Sequence, residues 1–479
     1  MAETLLSIGL EVAAIHILGI IAACHAVMNT RTSQGAVAWA VALVSIPYLT
    51  LIPYLFLGRS RFAGYVDEHR FNSARARART EAEVNQSRVT VNARCDAAAD
   101  PELRRFVALD RLVGRRFLAG NDVSLLCNGK ATFDAIFETI SRAEHYVLVQ
   151  FFVVRNDRLG RELQKRLLER AAAGVKVYFL YDGIGSHALA RSYVEALRAG
   201  GVQVHAFAIR RFSNRFQLNF RNHRKIVVVD GQVAFVGGHN VGVEYLGENP
   251  KLSPWRDTHV RLSGPIVAQV QRTFSEDWYW VTEELPETRM PDSTPGDMKC
   301  LAVASGPADN QETGSLYIVQ AIHAARRRIW LASPYFVPDS AVQSALRLAV
   351  LRGVDVRVLV PCRPDHFMVY QASLFHTYEA VRAGVRMYRY QPGFMHQKVV
   401  LTGSYRYSDI HYDDRQAIFP HTRHDDQHIA SIGVDWDIGE WTTKGLRLRG
   451  QYTYIDNRSN LDAYRYDRRI LSVGLAMRF

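Results

Sequence analysis

A chain of 479 residues that is 48% hydrophobic and 22% charged can bury two or three domain cores, and it is not an intrinsically disordered polypeptide. Its net charge of +12 favours an anionic partner, either nucleic acid or an anionic lipid surface. The five cysteines show no CxxC or zinc-ligand spacing, which argues against a disulfide framework and for a reducing compartment.

Two apolar stretches open the chain. One runs over about Leu5–Met28, interrupted by Glu11 and His16; the other, about Gly35–Leu57, carries no charge. About 20 apolar residues cross a bilayer, so residues 1–60 read as a two-helix transmembrane hairpin. A signal peptide fits the first stretch less well, because it has no basic start and a second span follows closely. Arg31 is the one cation in the short connection, whereas Arg59, Arg61, Arg70, Arg75, Arg77 and Arg79 follow the second stretch. The positive-inside rule therefore places everything after the hairpin in the cytoplasm.

Residues 61–118 read as a charged cytoplasmic linker, in part helical. From Asp122 an α/β alternation begins. Tyr146–Val153 is an apolar run with the look of a buried strand, Leu159–Ala173 has helical periodicity, and Val175–Tyr181 is a strand again. Ser192–Arg198 (helix) and Val202–Phe207 (strand) continue the pattern, which predicts a layered α/β sheet.

The pattern then repeats. Ala173-Gly-Val-Lys-Val-Tyr-Phe-Leu180 matches Arg352-Gly-Val-Asp-Val-Arg-Val-Leu359. Glu195-Ala-Leu-Arg-Ala-Gly200 matches Glu379-Ala-Val-Arg-Ala-Gly384, and the stretch from Asn222 to Val229 matches that from Met395 to Thr402. Two copies of one unit are expected, over residues 119–290 and 291–402, sharing a cleft.

The third match carries chemistry. His223 and Lys225 are two apart, as are His396 and Lys398. Residues two apart on a strand point the same way. Two copies would bring two imidazoles and two ammonium groups around one phosphate. That set supports phosphoryl-type transfer with no metal and no cofactor. One imidazole attacks phosphorus, and the other exchanges a proton with the leaving and entering alcohols. The lysines, with Asn240 as a neutral donor to substrate, balance charge on the phosphate oxygens. Asp230 would orient a nearby cationic side chain or a loop.

His223-Arg-Lys225-Ile-Val-Val-Val-Asp230 followed by Gly237-Gly-His-Asn240 resembles the HxKxxxxD motif of the phospholipase D superfamily. The branch it resembles is bacterial cardiolipin synthase. Gly35-Ala-Val-Ala-Trp39, Gln150-Phe-Phe-Val153, Asn219-Phe-Arg-Asn-His223, Trp255-Arg-Asp-Thr-His259 and Ser333-Pro-Tyr-Phe-Val-Pro-Asp339 carry the likeness, as does the double N-terminal span. The resemblance implies duplicated phospholipase D-like α/β/α domains in the bacterial inner membrane. It also implies condensation of two phosphatidylglycerol molecules to cardiolipin and glycerol, with His223 as nucleophile and His396 as acid. Anionic phospholipids and the membrane are then the expected partners, and nucleic acid is not. A phospholipase D-type hydrolase, or an inactive membrane-bound remnant, would share these features.

The second motif departs from the family's pattern. Gly403 stands where Asp is expected, and no Gly-x-x-Asn element follows. Residues 403–479 alternate apolar and polar side chains, are rich in Tyr, and end in Phe479, which resembles outer-membrane β-barrel strands. Three or four such strands cannot close a barrel. The tail reads as an antiparallel β segment foreign to the family, fused to a truncated second unit, or as a diverged end of that unit. Truncation predicts an uncovered sheet edge and apolar surface, and catalysis greatly weakened or absent. The remaining histidines, among them His239 and His259, read as structural or surface residues, with Trp255–His259 near the cleft by resemblance.

Overall fold

The computed structural model describes residues 2–29, 33–57, 80–207, 222–411, 424–437, 446–459 and 466–477, apart from 83, 101–102, 307–308, 310–311, 364 and 366. The arginine run from 59 to 79, residues 219–221 and the side chains of 401–451 lie outside the described set. Contacts divide the described residues into two compact units, 2–57 and 80–477.

In the first unit α1 (Ala2–Asn29) is a single helix of 28 residues. Its segment Glu11–Asn29 is long and apolar enough to cross a bilayer. The second expected span is not one helix but two, α2 (Ser33–Ser45) and α3 (Pro47–Leu57). The break falls at Ile46, because proline disfavours the helical conformation in the residue before it. Gly19 lets the helices meet backbone to backbone: a Cβ there would lie 2.5 Å from the Leu43 carbonyl oxygen. Many of the outward side chains are apolar. Ile17, Ile20, Ile21, Leu49 and Ile52 are exposed, while His25 Nδ1 lies 2.7 Å from the Tyr54 hydroxyl between helices.

The second unit begins with residues expected to be linker. Instead, α4 (Arg88–Asn92), β1 (Arg94–Cys95) and α5 (Val107–Val113) are built into the fold. Leu103, Phe106, Leu109 and Phe117 share one core with Tyr317, Ile329 and Val358. Spacing of three residues puts the first three on one helical face, a signal diluted in the sequence by the arginines between them.

The first sheet has the order β1-β2-β9-β7-β6-β3-β4-β5, with β10 (Met298–Cys300) also on β2. Its strands are β2 (Phe117–Cys127), β3 (Tyr146–Phe151), β4 (Lys176–Asp182), β5 (Gln203–Phe207), β6 (Ile226–Val229), β7 (Val233–Gly237) and β9 (Thr258–Ser263). β3, β4 and β5 are parallel, and β6 returns antiparallel to β3. Both faces are covered, which is why β3 reads as an unbroken apolar run. Val147 and Val149 face α6 (Asn128–Ser141), α7 (Arg158–Ala172) and α8 (Arg191–Ala199); Tyr146 and Leu148 face α9 (Ile266–Thr282).

The second half repeats this plan. β11 (Arg328–Ala332), β12 (Asp355–Pro361) and β13 (Arg386–Tyr390) are parallel, and β15 (Val399–His411) runs antiparallel to β11. Its helices are α10 (Thr313–Ala324), α11 (Ser340–Leu351) and α12 (Phe367–Arg382). The repeated glycine before β4 and β12 has a backbone reason: Gly174 and Gly353 have φ +85 and +79. The α/β class expected from the sequence is the class observed.

A short parallel pair joins the halves. β8 (Trp255–Arg256) lies beside β14 (Phe394–Met395), and the His396 amide donates to the Arg256 carbonyl at 2.9 Å.

The tail corrects an expectation. β15 runs without a turn through Gly403 and is paired along its outer side by β16 (His424–Asp437), from Val400–Asp435 to His411–His424. β17 (Leu446–Ser459) and β18 (Tyr466–Met477) extend the sheet. The edge of β15 is therefore covered. All five cysteines are free.

Candidate functional site

His223 and Lys225 sit just before β6, not on it, yet still point the same way. Lys225 Nζ is 2.8 Å from His223 Nδ1 and donates to the His223 carbonyl at 2.7 Å. Arg224, between them, points to the opposite side and forms a buried ion pair with Asp277 of α9. Asp277 also accepts from Asn222 Nδ2 at 2.7 Å and from Gln150 Nε2 at 2.8 Å. This buried clamp fixes the alternation that aims His223 and Lys225 together.

The second motif has the same local form. His396 and Lys398 precede β15, and Lys398 Nζ lies 2.7 Å from His396 Nε2. All four side chains are buried. Each imidazole has an aromatic wall: Phe152 lies 4.4 Å from the His223 ring, and Trp255 lies 5.3 Å from the His396 ring.

Resemblance placed Trp255–His259 near the cleft, but sequence reasoning assigned no chemical role to Asp257, His259 or His239. Asp257 of the first half bonds His396 Nδ1 of the second at 2.8 Å, and both are fully buried. His239 Nδ1 lies 3.1 Å from His259 Nδ1. The charge on Lys225 acts on His259, and His239 in turn feels Asp257, His396 and Lys398. Direct contact thus joins Asp257 to the second motif and His239 to His259, and the links to Lys225 and between these two pairs are electrostatic. The Gly237-Gly238 pair was the available signal. A Cβ on Gly237 would come 2.2 Å from the His259 ring, and one on Gly238 would come 2.3 Å from the Asp257 carboxylate.

Electrostatics follow from burial and neighbours. Burial alone would push the Asp257 carboxyl up, but His239, the His396 hydrogen bond and Lys398 outweigh it and hold it well below the usual carboxylate range. Burial pushes His239 down to about 4, against the pull of Asp257. Burial and the neighbouring His239 hold His259 well below its ordinary value. Both imidazoles are neutral at physiological pH.

Two further expected site residues act on the backbone around the motifs. Asp230 does not reach His223 or Lys225. It occupies the turn after β6 with φ +53 and accepts from the amides of Glu144, His145 and Tyr146, each at 2.8 Å. It ties down the loop before β3. Asn240 Oδ1 accepts from the Val153 amide at 3.0 Å and its Nδ2 donates to the Tyr245 hydroxyl at 2.9 Å. It thereby fixes the strand end that carries Phe152.

Comparison with known proteins bears on this arrangement. The family model described as "Cardiolipin synthase, PLD-like domain" matches residues 136–278 and 318–406, and "Phospholipase_D-nuclease N-terminal" matches residues 17–59. Cardiolipin synthase A of Pseudomonas putida is 58% identical over 395 residues, covering 81% of this chain and 80% of its own. The Pseudomonas aeruginosa protein of that name is 57% identical over 82% of this chain and 80% of its own. That of Pseudomonas fluorescens is 56% identical over 82% of each. With identity of this extent, the chain belongs to the cardiolipin synthase family of phospholipase D-like proteins.

Proposed function

We propose that the chain is a phosphatidyltransferase of the cardiolipin synthase type, acting on phospholipids, with phosphatidylglycerol as donor and acceptor. The observation that carries the reading is the pair of buried His-x-Lys motifs, His223 with Lys225 and His396 with Lys398, with Asp257 of the first half bonded to His396 of the second.

In this reading a His223 ring nitrogen attacks the phosphorus of one phosphatidylglycerol, and the bond to its terminal glycerol breaks. His396, doubly protonated at the start of the cycle in this reading, gives that glycerol oxygen its Nε2 proton. The ionised Asp257 can only accept, so the His396 Nδ1 bonded to it carries a proton and Nε2 is left to exchange one. His396 then removes the proton from a hydroxyl of the second phosphatidylglycerol. That oxygen attacks the phosphohistidine, forms cardiolipin and frees His223. Lys225 and Lys398 offset charge on the phosphate oxygens. β16 covers the edge expected to be open, so of the grounds for impaired catalysis only the incomplete second motif, with Gly403 in place of Asp and no Gly-x-x-Asn, remains.

We further assign both N-terminal apolar segments to the inner membrane, with the catalytic halves on the cytoplasmic side. The outward apolar side chains of α1 to α3 and the arginine excess after Leu57 support this.

The test is purified full-length protein given labelled phosphatidylglycerol, with cardiolipin, glycerol and phosphatidic acid resolved. Cardiolipin and glycerol in equal amounts, lost in His223→Ala and His396→Ala, are expected. Phosphatidic acid alone would make the chain a hydrolase, and no product would make it a remnant.

A further inference from the structure

α8 and α12 occupy the same place in the repeated plan. Each follows the second parallel strand, β4 or β12, and leads into the third, β5 or β13. Their outer faces differ. On α8 the exposed pair Arg191 and Glu195 bond each other, as on an ordinary solvated helix. On α12 Phe367, Met368, Phe375, Tyr378 and Val381 are all more than half exposed. The inward residues of α12 are the small Ser373 and Ala380; Ser373 accepts from the Phe336 amide at 3.1 Å. The helix is thus turned with its bulk outward.

An exposed aromatic and aliphatic face of this size needs a partner. The chemistry beside it names one. Arg363, just before the helix in sequence, and Arg382, its last residue, are exposed, and the Arg382 guanidinium lies 5.8 Å from the centre of the Tyr378 ring; Arg386, paired with Asp355, and Arg389 are exposed on the following strand β13. Glu379 is the one acidic residue within α12. Large apolar side chains fringed by arginine suit the headgroup layer of an anionic bilayer. Position agrees. β12 runs parallel to β11, and β15 starts antiparallel at the Ala332–Val399 pair. The end of β12, the start of α12 and His396 therefore share one end of the sheet. Phe367 and Met368 stand on that end.

We propose that the outer face of α12 is an interfacial docking surface for an anionic phospholipid bilayer, which brings lipid to the sheet end that holds His396. The proposal rests on the phosphatidyltransferase reading only for its purpose; the docking itself is measurable without turnover.

The experiment uses full-length protein in vesicles of phosphatidylglycerol with brominated acyl chains. Phe375→Trp should add a quenched tryptophan signal over the parent protein, and Glu195→Trp on α8 should add an unquenched one. Phosphatidylcholine vesicles with the same bromines should quench Phe375→Trp at least twofold less. Met368→Ser with Phe375→Ser should lower turnover on vesicles at least tenfold, and stay within twofold of the parent on detergent-dispersed short-chain phosphatidylglycerol. No quenching at 375, or equal quenching at 195 and 375, overturns the proposal. So does shielding of residue 375 from iodide that grows with protein concentration in detergent, since the face would then bind a second copy. Quenching at 375 in a protein that makes no cardiolipin would leave the docking intact and sink the activity.

Discussion

Asp257 of the first half and His396 of the second are joined by a hydrogen bond of 2.8 Å between two fully buried side chains. The carboxylate holds a proton on Nδ1 and leaves Nε2, 2.7 Å from Lys398 Nζ, as the nitrogen that exchanges one. Asp257 is a positioning residue in this scheme. Asp257→Asn keeps the shape and removes the charge and the fixed tautomer. Turnover to cardiolipin should fall by about 10²-fold or more, the scale of a general acid–base contribution. Near-isosteric replacement should leave detergent-solubilised protein monodisperse. A variant within threefold of the parent would remove Asp257 from the mechanism.

The buried histidines make stability depend on pH with a definite sign. Unfolded, His239 takes up a proton near 6.5; folded, only near 4, because burial penalises its charged form. As pH falls below 6.5 the unfolded chain gains a proton that the folded chain refuses, so stability drops until about pH 4. Over that window the loss is about 3 kcal/mol at ~1.4 kcal/mol per pH unit. Asp257 adds nothing there, since its contribution is lost only as pH falls below the ordinary carboxylate range. His239→Phe should flatten the window: denaturant unfolding at pH 6.5 and 4.5 should differ by about 2 kcal/mol less than in the parent. An unchanged difference would mean that His239 is protonated in the folded protein.

Asp230 is read here as a fold residue. Asp230→Ala leaves three amides without their acceptor, two of them near solvent, at a cost of about 2 kcal/mol. Asp230→Asn keeps an acceptor oxygen, tolerates positive φ and should cost less. Turnover per folded molecule should stay within tenfold of the parent, while Lys225→Ala should lose about 10²-fold at similar stability. A fully stable Asp230→Ala with activity abolished would restore Asp230 to the chemistry.

What the sequence showed and hid follows from distance along the chain. His223 and Lys225 were legible because residues two apart share a side, and the repeat supplied His396 and Lys398. Asp257 and His259 lie two apart in one segment that the likeness placed near the cleft, but no spacing tied them to His239 or to His396. Only the paired glycines, too close to Asp257 and His259 for any Cβ, recorded the contact. For Asp230 the sequence left a cationic side chain or a loop as its partner, and motif spacing, which carries no direction, could not choose the loop. Five residues of extended chain place it about 16 Å beyond Lys225. The break at Ile46 was written in the Ile-Pro step, but hydropathy alone ran over it.

Gly403 supplies the sharpest contrast between motif and fold. Asp230 works because the chain turns after β6 and the carboxylate meets three amides there. At Gly403 there is no turn; the residue lies inside β15, opposite Arg328 on one side and Ile432 on the other. Restoring the motif by Gly403→Asp should therefore not restore a clamp. Turnover should stay within twofold, and stability should fall by about 1 kcal/mol because Asp is a poor residue in a paired strand. Cardiolipin formation and unfolding of the same preparation measure both. A gain of fivefold or more in turnover would show that β15 turns at 403 in the working enzyme, and that the continuous strand is not its active form.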